Sequence, residues 1–129
     1  MRLNDVIILL EIDLSIKYKK NMKLISANKL AEIIDRNSDS LVNVRKIKKI
    51  LNKESKYWTE SIISISNLIG VNDLDVDKSY ADFSKGSIVV LSNGTIVDGR
   101  HRASMILHNN KDKINAYIPV NVLASRENE

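Results

Sequence analysis

The sequence predicts an α+β fold: a small mixed sheet with helices over residues 57–125, preceded by a helical, basic segment over residues 1–56. Three observations predict it. Between Ala27 and Lys53 apolar residues recur at helical spacing. From Tyr57 onward short β-branched runs alternate with turns, as in a small α+β unit. Charge is divided unevenly: the chain carries +4, residues 17–56 alone sum to +8, and residues 57–95 sum to −3. A length of 129 residues fits one domain or a small domain with an appendage. With 43% apolar residues, 28% charged residues and one proline, the composition is that of a globular chain. There is no internal repeat or low-complexity tract.

Taken in order, the first element supports two readings. From Val6 to Tyr18 apolar residues occupy every even position, which is strand period, yet Leu3, Val6, Ile7, Leu10 and Leu14 also form a helical stripe. Length and the absence of glycine weigh toward a helix. Ser26 is the expected N-cap of a helix over Ala27–Asp35, with Leu30, Ile33 and Ile34 on one face. Asn37 to Ser40 reads as a polar turn. A second helix is expected from Leu41 to Lys53, its stripe formed by Leu41, Val44, Ile47, Ile50 and Leu51. Arg45, Lys46, Lys48, Lys49 and Lys53 take much of the remaining circumference. Trp58 marks the junction and is expected as a core anchor between the two halves. The tail from Ala124 to Glu129 is polar and expected to fray.

Several classes are excluded or disfavoured. Without cysteine, disulfides, thiolate metal sites and cysteine nucleophiles are impossible. Asp5, Glu11 and Asp13 break up the apolar start, which lacks a signal-peptide layout, and Val6–Leu10 is too short to cross a bilayer. The expectation is a cytoplasmic protein with no membrane partner. The basic stretch points to a polyanionic partner or to a solvated helix face.

The chemistry concentrates at Gly94–Leu107, where a short apolar strand ends in Asp98-Gly99 and a helix opens with Arg100, His101 and Arg102. First-turn amides have no partner within a helix and carry the positive end of its dipole, so a phosphate is the natural guest. Gly99 permits a sharp turn and close approach, and Asp98 is the expected cap. His101 and His108 stand two turns apart, about 10 Å, which does not suit a zinc pair. His108 fits the helix C-terminus, and Ser104 has no obvious base.

At these residues the chain resembles the ParB/sulfiredoxin superfamily, whose members carry Asp-Gly-x-His-Arg or a related Gly-x-x-Arg motif at a strand-to-helix turn. The resemblance runs from about Ser61 to Val122. Ile62–Leu68 resembles the opening strand, Asp75–Phe83 the short helix, Lys85–Val90 the strand before the Asn93-Gly94 hairpin, and Ile114–Val120 the closing strand. The resemblance implies nucleotide binding, with ATP or CTP and magnesium as cofactors, and a possible NTP hydrolase or phosphotransferase. It implies that Gly99, Arg100 and His101 line the phosphate cradle, that Arg102 clamps a phosphate oxygen, and that Asp98 holds the metal or orients His101. Glu60 is the glutamate available as a catalytic base. Arg100 stands where sulfiredoxin places its reactive cysteine, so that chemistry is absent. No acidic residue lies between Gly99 and Arg102, unlike the usual turn of the partition proteins.

The first half resembles the helix-turn-helix of winged-helix regulators. In that reading Ser40, Asn43, Arg45, Lys46 and Lys49 would approach DNA bases or phosphates. The alternative function is therefore a small DNA-binding regulator or anti-defence factor of a phage or plasmid, acting through the basic helices over 26–53. A protein-interaction module that binds no nucleotide is a third reading. The apolar Val6–Leu14 face is the candidate homodimer surface.

Overall fold

The computed structural model describes residues 12–37, 42–71 and 86–121. In chain order these form β1 (Ile16–Lys17), β2 (Ile25–Ser26), α1 (Ala27–Asn37), α2 (Val44–Glu54), β3 (Tyr57–Ser64), a 3-10 turn (Ile65–Asn67), β4 (Ile88–Val90), β5 (Ile96–Asp98), α3 (Arg100–His108) and β6 (Lys113–Asn121). The molecule is mixed α+β.

The sheet is organised around β6, the last described strand. Along one edge β3 pairs antiparallel with it over its full length, from Tyr57 opposite Val120 to Ser64 opposite Lys113. Two parallel strands share its other edge: β4 sets Ile88 and Val89 against Ala116 and Tyr117, and β1 sets Ile16 and Lys17 against Val120 and Asn121. Pro119 lies where that edge passes from β4 to β1. A residue without an N–H is tolerated where a ladder is interrupted. Beyond these, β5 pairs antiparallel with β4, and β2 with the start of β3.

Strand alternation sends successive side chains to opposite faces. Ile114, Ala116, Ile118 and Val120 of β6 are buried. The first three join Ile63, Ile88, Val90 and Ala103 of α3 in one cluster. On the other side Trp58 and Val89 meet Ala27, Leu30, Ala31 and Ile34 of α1 and Leu51 of α2. Trp58 is fully buried and its indole N–H donates to the Ser55 carbonyl at 3.0 Å. It anchors the two helices to the sheet, as its position in the sequence suggests.

The helices form largely where their apolar stripes predict; the cap at Ser26 was expected, whereas Asn43, read as a DNA contact, is a cap instead. Ser26 caps α1, its Oγ accepting from the Lys29 N–H at 3.1 Å. Asn43 caps α2 through Oδ1, which accepts from the Lys46 N–H at 3.1 Å. That cap starts α2 at Val44 rather than Leu41. The boundary expected at residue 56 coincides with the α2–β3 connection, but apolar residues from both sides of it build one cluster.

Other expectations change. Of the segment read as a helix, Ile16–Lys17 is strand, because the edge of β6 beyond β4 offers it backbone partners. The N-terminal region is thus not purely helical, since it contributes β1 and β2. The strand expected over Ile62–Leu68 begins five residues earlier, at Tyr57, and ends at Ser64, whose Oγ accepts from Ser66 N–H and turns the chain. The helix expected at Asp75–Phe83, the frayed tail, Ser40, and all of Val6–Leu14 before Ile12 fall outside the described residues. Among the described residues no helix is long and apolar enough to cross a membrane.

Candidate functional site

The turn between β5 and α3 is built by a glycine. Gly99 has φ +102°, a left-handed conformation that side chains disfavour, and it is the N-cap residue of α3. A Cβ there would overlap the Ile88 side chain and crowd the Arg102 guanidinium. This corrects the expected role of Asp98. Its carboxylate does not cap the helix; Oδ2 accepts from Arg102 Nη2 at 2.9 Å, one helical turn away. No side chain hydrogen bond caps this helix start.

Arg102 is 4% exposed, and its guanidinium is held by the protein itself. Nη1 donates to the Gly86 carbonyl at 2.5 Å and lies 3.4 Å from the Ser87 carbonyl. With Nη2 on Asp98, the guanidinium ties the start of β4, the end of β5 and the first turn of α3 together. The structure therefore places Arg102 as a strut beneath the turn rather than as a group reaching outward. Arg100 points elsewhere, its Nε donating to the Gly70 carbonyl at 3.2 Å. Arg100 and His101 are both exposed on the first turn.

Beside this turn opens a cleft of about 660 Å³, lined by Glu60, Ser87, Arg102, Lys113, Asn115 and Tyr117 together with Ile62 and Ile106. Glu60 and Tyr117 are directly opposed on β3 and β6. Ser87 Oγ donates to Glu60 Oε2 at 2.8 Å, while the carbonyl of the same residue faces Arg102. A polar chain thus runs from Glu60 through Ser87 and Arg102 to Asp98. Burial raises the Tyr117 phenol above its ordinary value of 10.0, and its hydrogen bond to Glu60 and the carboxylate charge add to the rise. A second hollow of about 550 Å³ lies around the end of β6, where Glu54 accepts from the Ser92 N–H at 2.9 Å and Asp13 from Ser15.

Of the residues expected at the site, Glu60 and Arg102 line the cleft, Asp98 joins it only through its pair with Arg102, and Gly99, Arg100 and His101 lie outside the lining. Asp98 is the one carboxylate at the turn, and it is already paired. Among the described residues no group of three His, Asp or Glu side chains gathers for a metal. The residues named for DNA lie apart, on α2: Arg45, Lys46 and Lys49 are exposed, and the Asn43 amide oxygen is spent on its cap. His108 ends α3, and Ser104 is buried within it.

Ser87, Lys113, Asn115 and Tyr117 were not singled out in the sequence. Alternation along β6 carried a signal, since Lys113, Asn115 and Tyr117 are the positions opposite in face to Ile114, Ala116 and Ile118. What was missing was the strand order that sets them against Glu60. Compared with known proteins, the chain matches no family model, no curated protein and no solved structure.

Proposed function

We propose that the protein binds a nucleoside triphosphate, or another ligand ending in a phosphate, at the Gly99–Arg102 turn, as the resemblance to the ParB/sulfiredoxin superfamily implies. The observation that carries this reading is a helix start without a side-chain cap, flanked by exposed Arg100 and His101, beside a cleft large enough for a small molecule. Fixed first-turn amides and neighbouring cations are the elements of an anion site. In this reading the Gly99 backbone and the first-turn amides meet the phosphate, with Arg100 supplying charge and His101 a ring N–H donor. Arg102 is a positioning residue, because its contacts to Gly86 and Asp98 hold the turn. Glu60, across Ser87, is the group placed to accept a proton from a bound hydroxyl or water, which extends the reading to phosphoryl transfer or hydrolysis. ATP and CTP are the nucleotides to test first.

The test is thermal unfolding of the full chain with ATP, CTP or GTP, each with magnesium. A ligand at a hundred times its Kd stabilises the folded state by about 2.7 kcal/mol. At least one nucleotide is expected to raise Tm, and the double variant Arg100→Ala/His101→Ala is expected to abolish the rise while Lys46→Ala preserves it. No rise with any nucleotide, or a rise that survives the double variant, removes this reading.

A further inference from the structure

α2 presents a surface that the phosphate turn does not use. Most of its apolar stripe faces inward: Leu51 is fully buried, and Val44 and Ile47 pack on the same cluster, while Ile50, expected on that stripe, is exposed. That packing fixes which side looks out. Arg45, Lys49 and Lys53 follow one another at intervals of four, so they rise about 6 Å per step along one side of the helix. Lys46 stands beside them, and all four are exposed. The one acidic residue in α2, Glu54, is turned away onto Ser92. Lys48 is on the flank, 3.7 Å from Glu32 of α1. Among the described residues the other four cations make no ion pair, so the row is not neutralised from within.

We propose that the outer face of α2 binds the phosphate backbone of a nucleic-acid duplex without regard to its sequence. Two observations choose this partner and this mode. An amphipathic helix that seats on a lipid surface turns its apolar side outward, whereas Val44, Ile47 and Leu51 of α2 face the core and Ile50 is left as its one exposed apolar side chain. Base reading needs side chains that pair with base edges, and the amide best suited to that, Asn43, is held by the Lys46 N–H. What remains is a row in which three of the four cations are lysine ammoniums, point charges that neutralise phosphates and carry little sequence information. This differs from a base-reading helix-turn-helix, and it stands independently of the Gly99 turn.

The test is fluorescence anisotropy of a labelled mixed-sequence DNA duplex titrated with the full chain over a series of salt concentrations. Binding is expected at low salt, with a slope of log affinity against log salt near −0.9 for each phosphate engaged. The variant Arg45→Gln/Lys49→Gln/Lys53→Gln is expected to lose at least about tenfold in affinity and to flatten the slope by about 2.7. The charge-preserving variant Arg45→Lys/Lys53→Arg is expected to keep both, and Lys49→Gln alone to flatten the slope by about 0.9. Arg100→Ala/His101→Ala leaves duplex binding unchanged, which separates this surface from the phosphate turn. No binding at low salt, unchanged binding by the triple variant, a strong preference for one duplex sequence, or binding of anionic vesicles in place of the duplex would each overturn the proposal.

Discussion

At Arg102 the sequence motif and its structural use part company. An arginine after Asp-Gly reads as a ligand-binding cation, and nothing in the local pattern says that its donors will be absorbed by the Gly86 and Ser87 carbonyls from a distant strand. The Asp98 partner was legible in principle, since the two stand four apart. The guanidinium is buried while the Asp98 carboxylate is 36% exposed, so losing the arginine falls between the roughly 0–1 kcal/mol of a surface pair and the roughly 3–5 kcal/mol of a fully buried one. Arg102→Ala is accordingly expected to lower the urea midpoint, and Arg102→Lys to recover only part of it, because one ammonium cannot reach Gly86 and Asp98 as a planar fork does. Gly99→Ala combines a left-handed backbone, about 1–2 kcal/mol, with overlap on Ile88, so a loss above about 2 kcal/mol is expected in the same measurement. Tyr117 supplies a pH signature. Its folded value is raised, so between the unfolded and folded values the native state holds a proton that the unfolded chain has released. Stability from this group is complete below about pH 10 and falls as pH rises past it. Tyr117→Phe is expected to reduce that alkaline loss. Glu60→Gln is expected to bring the phenolate absorbance of Tyr117 to lower pH, read by difference against Tyr117→Phe because the chain has four tyrosines.

Among the elements, α1 and α2 were the most legible, because an amphipathic stripe and a cap are both local signals. Ser26 and Asn43 fulfil the capping logic, and Asn43→Ala is expected to cost about 1 kcal/mol, seen as a lower thermal midpoint with unchanged α2 boundaries by amide exchange. Should that variant instead leave stability untouched, Asn43 would be available to a ligand and the backbone-only mode of α2 would lose support. The short strands were not legible. β1 and β2 contain two residues each, too few for any period to register. They exist because β6 and β3 offer edges to them, a fact settled many residues away. β3 was misplaced for a related reason: Tyr57-Trp58-Thr59 favours a strand, but the resemblance drew attention to the isoleucines that follow.

At the scale of the whole molecule, one of its two clusters is shared by both halves of the chain. Trp58 lies beyond the expected boundary at residue 56, yet its contacts come from Ala27, Leu30, Ala31, Ile34 and Leu51 before it. A fragment starting at Tyr57 would bare that indole, and is expected to show no cooperative thermal transition, whereas the full chain unfolds in a single one. Recovery of a sharp transition in the fragment would show that the C-terminal half stands alone. The place of β6 in the sheet has a temporal consequence. It is the last described strand to leave the ribosome, yet it is the neighbour of β1, β3 and β4. Until it emerges, the described strands of the nascent chain form the β2–α1–α2–β3 unit and the β4–β5 hairpin, joined by no more than the isolated bridge between Ile69 and Thr95. Pairings that span nearly the entire described chain close slowly. Emergence of β6 is then the step at which the sheet can close, and chains lacking β6 would be the ones that chaperones hold and proteases cut.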